Sequence, residues 1–263
     1  MTLPNLTSVE IKRIIKSIPG QIIYSIRSTR LTTLELYNLA YIPEESILAL
    51  LNSCSSSLET INLPGNSNIT DIVLLKIFQK FGNSLKSLNL CRTNITGGIL
   101  SKFTVSLPVI TELKFGQCYQ LTDTGLINLL QLSKQTLVYM DINGSRITGE
   151  NLIEINGTLP CLENFYFFEC RQLTELNQLL QLCGNTLKHL DLTKTAITGE
   201  GLMENDITLP CLEVLKLVLC DNLTDEGLVE FLQACRNTIK ILDISCTQIT
   251  GESMDDLEVR HVN

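Results

Sequence analysis

Tryptophan is absent from this 263-residue sequence, and histidine occurs only twice, at His189 and His261. So little imidazole leaves few ways to assemble a nucleophile, a base and a group that orients the base. His189 has Asp191 two positions on, yet no serine or cysteine stands in a motif that would make it a nucleophile. None of the ten cysteines forms a C-x-x-C pair, so zinc-site spacing is missing. Neither Gly97-Gly98 nor the Thr-Gly-Glu turns match a phosphate loop or a dinucleotide fingerprint. No catalytic residue, cofactor or metal is therefore expected.

Long apolar runs are missing as well. No stretch reaches the roughly 18 residues of a membrane span, and the opening MTLPNLTSVEIKRIIKSIPG lacks the basic-then-apolar pattern of a secretory leader. A cytoplasmic or nuclear protein without a membrane partner is the expectation, with a monomer as the default. Positive charge is also short: 20 Lys and Arg against 28 Asp and Glu give a net −8 and a pI near 4.9. Counterion release from a phosphate backbone then has little to act on, which argues against nucleic acid.

What the chain has is repetition. From Leu31 onward an L-x-x-L-x-L signature recurs nine times, beginning at Leu31, Leu58, Leu85, Ile110, Leu137, Leu162, Leu187, Leu212 and Ile239. The steps are 25 or 27 residues, inside the leucine-rich range. Alternating L-x-L is a short strand with one face buried, and strands so close in sequence, each followed by a return segment, stack in parallel. The returns alternate in kind. LTDTGLINLLQLSKQ (121–135) and LTDEGLVEFLQACRN (223–237) offer a Thr-Asp cap and a buried stripe of Leu126, Leu129 and Leu130, or Leu228, Phe231 and Leu232. ITGENLIEINGTLP (147–160) and ITGEGLMENDITLP (197–210) have weaker periodicity and stop at Leu-Pro, which predicts short helical turns.

The expected fold is an α/β solenoid, a right-handed β-α superhelix in the shape of a horseshoe. Residues 1–30 form an N-terminal capping segment, 31–252 the repeat domain and 253–263 a C-terminal tail. In the first of these, Val9, Ile11, Ile14, Ile15 and Ile18 have helical spacing after a possible Ser8 cap. Cysteine falls in register, with Cys118, Cys170 and Cys220 at one repeat position and Cys54, Cys183 and Cys235 at another. That is how a small buried hydrophobe behaves in a solenoid, so free thiols are expected. Six N-x-[ST] sequons, at Asn5, Asn68, Asn94, Asn143, Asn156 and Asn222, mostly fall in turns, where Asn and Thr have their own uses.

CLEVLKLVLCDNLTDEGLVEFLQAC (211–235), with weaker copies at 109–133 and 161–183, resembles the cysteine-containing leucine-rich repeats. That is the ribonuclease-inhibitor-like horseshoe of F-box substrate adaptors and antagonist-of-mitotic-exit proteins. The likeness spans about residues 31–252 and departs in every second unit, where Thr93, Ser145, Thr195 or Thr247 replaces the strand-end cysteine and ITG replaces ITD. It implies a ubiquitin-ligase adaptor role, in which the chain recognises a substrate protein.

A horseshoe presents its concave sheet to a partner. Nine strands about 4.8 Å apart give a face on the order of 40 Å long. Its expected central column runs Glu35, Asn62, Asn89, Lys114, Asp141, Tyr166, Asp191, Lys216 and Asp243, with Lys216 between Asp191 and Asp243. In and beside that column stand Tyr139, Tyr166, Phe168 and His189, then Val214 and Val218. Apolar and aromatic side chains at exposed positions are what interface anchors look like. The expected function is a non-enzymatic protein-binding scaffold using Tyr139, Tyr166, Phe168, His189, Asp191, Val214, Lys216 and Val218. An extracellular recognition receptor of the innate-immune sort is the alternative, and a GTPase-activator-like regulator has less support.

Overall fold

A computed structural model describes residues 6–12, 30–37, 42–150, 152–235 and 238–252. Ten strands form one parallel sheet in chain order: β1 (Ser8–Lys12), β2 (Thr33–Tyr37), β3 (Thr60–Asn62), β4 (Ser87–Asn89), β5 (Glu112–Lys114), β6 (Tyr139–Asp141), β7 (Asn164–Tyr166), β8 (His189–Asp191), β9 (Val214–Lys216) and β10 (Ile241–Asp243). Each pairs residue for residue with the next, so Phe165 lies between Met140 and Leu190, and Leu215 between Leu190 and Leu242. Most strands have three residues because the alternating signature is only that long, and β3 to β9 each bury the middle one, whereas Leu242 of β10 is exposed.

Among the described residues five α-helices pack behind the sheet: α1 (Glu44–Ser53), α2 (Asp71–Phe81), α3 (Asp123–Ser133), α4 (Asn177–Cys183) and α5 (Asp225–Cys235). Between the two layers lies one continuous apolar core that includes Leu31, Leu88, Phe165, Phe167, Leu215 and Phe231. Unit length decides the return. The 27-residue units beginning at Leu31, Leu58, Ile110 and Leu212 each hold a helix of 10 or 11 residues. A 25-residue unit has room for a 3-10 turn, Gly98–Lys102 or Leu152–Glu154, or for the seven-residue α4. Helical and short returns alternate from the second unit onward, since α1 and α2 are consecutive.

At the N-terminus the structure corrects the sequence. Val9 and Ile11 belong to strand β1, paired Val9↔Leu34 and Ile11↔Leu36, rather than to a helix. An open sheet edge offers a row of unpaired backbone groups, and pairing with them outweighs a short helical pattern. Ile14, Ile15 and Ile18 lie outside the described residues, as does the tail 253–263.

The Thr-Asp and Thr-Gly motifs prove to be two halves of one joint. Thr122 caps α3 by accepting the Gly125 N–H at 3.1 Å, and Thr224 caps α5 through the Gly227 N–H at 2.9 Å. The following aspartate turns to the next unit. Asp123 accepts the Thr148 N–H at 3.1 Å, its hydroxyl at 2.9 Å and the Gly149 N–H at 2.9 Å. Asp71 does the same with Thr96 and Gly97. Gly125 and Gly227 complete the fit from the other side, because a Cβ there would stand 2.0 and 2.1 Å from the Thr96 and Thr198 carbonyl oxygens. What reads in the sequence as a departure from ITD to ITG is thus complementarity between neighbours.

The cysteine column is explained in the same way. The Cys118, Cys170 and Cys220 thiols lie 3.1, 3.2 and 3.0 Å from the Leu90, Ile142 and Leu192 carbonyl oxygens of the preceding unit. Beside them sit Thr93, Ser145 and Thr195, at 3.4, 3.3 and 3.6 Å. All ten thiols are free, six of them buried, while Cys211 and Cys246 are exposed. Burial pushes Cys183 and Cys235 up to about 12 and Cys170 up to about 11, where the reactive thiolate is scarce. A thiol reagent at pH 8 is accordingly expected to label Cys211 and Cys246 first in the native protein, and ten thiols in denaturant without reductant. Prompt native labelling of Cys118, Cys170 or Cys220 would contradict the packing.

Candidate functional site

Because strands β3 to β9 bury their middle residues, their first and third residues face away from the helices and line up across the sheet in two rows. The first row runs Glu112, Tyr139, Asn164, His189 and Val214, and the second Lys114, Asp141, Tyr166, Asp191 and Lys216. Two residues further along each unit, a third row carries Cys91, Gly116, Asn143, Phe168, Thr193 and Val218.

One residue beyond that row the backbone turns left-handed in eight successive units. Gly65, Arg92, Gln117, Gly144, Glu169, Lys194, Leu219 and Cys246 have φ between 56° and 73°. For a residue with a Cβ this conformation costs about 1–2 kcal/mol. In all but the last of these units the turn brings the N–H to the next unit: Arg92 donates to the Gly116 carbonyl at 2.8 Å, Glu169 to Thr193 at 2.8 Å and Leu219 to Ser245 at 3.0 Å. Asparagine or aspartate in row two steadies the bend in alternate units. Asn89, Asp141, Asp191 and Asp243 each accept the N–H two residues on, at 2.9–3.1 Å. The aspartates of the short units therefore serve their own turns first.

Seven of the eight expected partner-facing residues are partly buried on this side of the molecule, and Lys216 is exposed. Tyr139 and Tyr166 come together, with ring centroids 5.1 Å apart and tilted by 38°. Lys114 Nζ stands 5.1 Å from the centre of the Tyr139 ring and 2.5 Å from Glu112. His189 is two strands from Tyr139, and its Nδ1 meets Asn164 Oδ1 at 2.5 Å. Phe168 lies under Lys194, whose Nζ is 5.2 Å from the ring centre and 2.6 Å from Glu169. Lys216 does sit between Asp191 and Asp243 in register, but its ion pair is with Asp191 alone, at 3.8 Å and half exposed. Val214 and Val218 extend the apolar surface toward Leu219 and Ile241, which are 39% and 55% exposed.

Burial, reinforced by Asp141, pushes the Tyr139 hydroxyl up to about 12, so it stays protonated in any ordinary buffer. Burial likewise raises Asp141 above the usual carboxylate range, against the lowering effect of the Asn143 N–H and of Lys114. Among the described residues no three His, Cys, Asp or Glu side chains are arranged to hold a metal ion, and no helix is long and apolar enough to cross a membrane.

Sequence reasoning missed the more complete charge ladder, which lies one residue before row one. Glu59–Lys86, Glu163–Lys188 and Glu213–Lys240 all pair at 2.8 Å across neighbouring units. These pairs are exposed, and each contributes at most about 1 kcal/mol. The signal was present as Glu and Lys recurring in phase, in a column adjacent to the one that was read. A cavity of about 310 Å³ near the left-handed turns, lined by Arg171, Lys194, Leu219 and Asp221 among others, was not foreseen either. Both of its cations lean on Glu169, at 4.0 and 2.6 Å.

Comparison with known proteins agrees with this architecture. The Leucine Rich repeat family model matches residues 185–204, 208–232 and 237–257. Among solved structures, a chain of the Rad7 and Elc1 complex in yeast is similar to this one, with a TM-score of 0.53 and 20% identity. The match covers 85% of this chain and 65% of that one, so this chain spans less than two thirds of its length. No curated protein sequence matches. The fold is an α/β leucine-rich-repeat solenoid.

Proposed function

We propose that this leucine-rich-repeat chain is a non-enzymatic scaffold that binds another protein across the open face of its sheet. The observation that carries the reading is the aromatic group at the middle of that face. Tyr139 and Tyr166 are half-buried and in contact with each other, with Phe168 one row away, where a self-sufficient solenoid needs only small polar side chains such as Thr60 and Ser87. Rigid, partly desolvated aromatics are typical anchors of protein interfaces. The structurally similar chain was itself crystallised in a complex of two proteins, Rad7 and Elc1. Recognition of a substrate protein for a ubiquitin ligase is the finer form of this proposal.

An intracellular setting fits three of the sequons. The side-chain amides of Asn68, Asn94 and Asn222, the nitrogens that would carry a glycan, donate to the Ile42, Ser67 and Ala196 carbonyls of the preceding unit, at 3.0, 2.7 and 3.2 Å. In affinity purification from cells, the double variant Tyr166→Ala with Phe168→Ala is expected to lose its specific partners at least tenfold while keeping the wild-type circular dichroism. Unchanged recovery of every partner by the folded variant would rule the face out.

A further inference from the structure

The middle of the open face holds a carboxylate whose charge the molecule leaves uncompensated. Asp141 ends β6, between Lys114 and Tyr166 in row two. Its Oδ1 accepts the Asn143 N–H, while Oδ2 has neither a hydrogen-bond nor an ion-pair partner among the described residues. Lys114 is the nearest candidate, but its ammonium is held by Glu112 at 2.5 Å. Between β4 and β9 the face carries Glu112 with Lys114 and Asp191 with Lys216, two pairs that cancel. Asp141 remains.

Both Asp141 oxygens lie over Gly116, where a Cβ would stand 3.2 and 3.4 Å from them and 3.4 Å from Cys91 Sγ. Other units fill this row with Phe168, Thr193 or Val218, and glycine here is what lets the Asp141 carboxylate lie over the row. Tyr139 and Tyr166 stand beside it, neither hydroxyl hydrogen-bonded among the described residues. Next to Gly116 in the same row, Asn143 Oδ1 is buried without a hydrogen-bond partner. The Tyr139 ring already has the Lys114 ammonium near its face, whereas no cation lies over Tyr166 among the described residues.

A half-buried anion beside an aromatic face suits a side chain that is cationic and able to lie against a ring. We infer that the Asp141 carboxylate, lying over Gly116 on the open face, takes one arginine or lysine side chain of the protein partner, with Oδ2 as its counter-ion and Tyr166 as its aromatic wall. The inference rests on the reading of the open face as the partner surface. A basic partner segment also complements the net charge of −8 and is drawn toward the face before contact.

Random dodecapeptides displayed on phage, selected on the wild-type chain and then measured by fluorescence anisotropy, test it. Asp141→Asn is a mild variant, because the amide oxygen still accepts the Asn143 N–H. Gly116→Val keeps the charge but crowds the carboxylate out of its place over the row, since a Cβ there would stand 3.2 and 3.4 Å from its oxygens. Selected peptides are expected to share one Arg or Lys position and to lose at least tenfold in affinity on either variant. Replacing that Arg or Lys with Gln is expected to cost the wild type as much, and the Asp141→Asn variant nothing further. Peptides that require Tyr166 and Phe168 but carry no shared cation would overturn the inference and leave the face standing. Peptides indifferent to Tyr166→Ala and Phe168→Ala would overturn both.

Discussion

Gly149→Ala is expected to lower the stability of the folded chain by about 2–5 kcal/mol. The left-handed backbone at Gly149, with φ of +91°, costs a residue with a Cβ about 1–2 kcal/mol. Forcing a side chain into a filled site adds about 1–3 kcal/mol. That second part arises because a Cβ would stand 1.7 Å from the Glu175 carbonyl oxygen of the following unit, so one unit or the other must move. Gly157 separates the two contributions. It lies in the same return segment with φ of +93°, and a Cβ there would meet nothing nearer than Lys134 Nζ at 4.0 Å. Gly157→Ala should therefore cost only the backbone share. Thermal and urea unfolding of both variants decide the matter, and equal losses would show that the close approach between units has no energetic weight.

Phe165→Ala is expected to cost about 3–5 kcal/mol, the usual range for deleting a buried aromatic. Phe165 is fully buried in β7, and its ring lies 4.3 Å from that of Phe167, with 25° between the planes. The next residue, Tyr166, points to the other side of the same strand. Tyr166→Ala should cost only about 0.5–1.5 kcal/mol, the worth of its pairing with Tyr139. A fall in melting temperature several times larger for Phe165→Ala would verify the side-by-side assignment of core and open face, and comparable falls would undo it. The small cost at Tyr166 also keeps the binding experiments on that residue interpretable.

The sheet was legible in the sequence because burial repeats with the chain. Leu88, Leu113, Leu190 and Leu215 all stand at the middle of a three-residue strand, and a period-two pattern admits few alternatives. Helix against short turn was legible too, for Thr122-Asp123 and the Leu-Pro stops mark where each return begins and ends. What escaped was interaction between units. That Asp123 reaches Thr148 and Gly149 depends on which units are neighbours, and a motif read inside one repeat carries no trace of it. Strand β1 escaped for a similar reason. The pairing of Val9 with Leu34 is fixed by an open edge, while the spacing of Val9, Ile11, Ile14, Ile15 and Ile18 taken together favoured a helix. On the open face, Tyr139 and Tyr166 were visible as exposed aromatics. The importance of Gly116 was not, since it consists of a missing side chain whose effect falls on Asp141, in the next unit.

The left-handed turns give the stack a direction. The N–H of Arg92 is satisfied only by Gly116, that of Glu169 only by Thr193 and that of Lys194 only by Val218, always one unit toward the C-terminus. A chain emerging from the ribosome would accordingly complete each bend only when the succeeding strand arrives. At every stage of synthesis the growing end carries a single unfinished turn, whatever the number of units already in place.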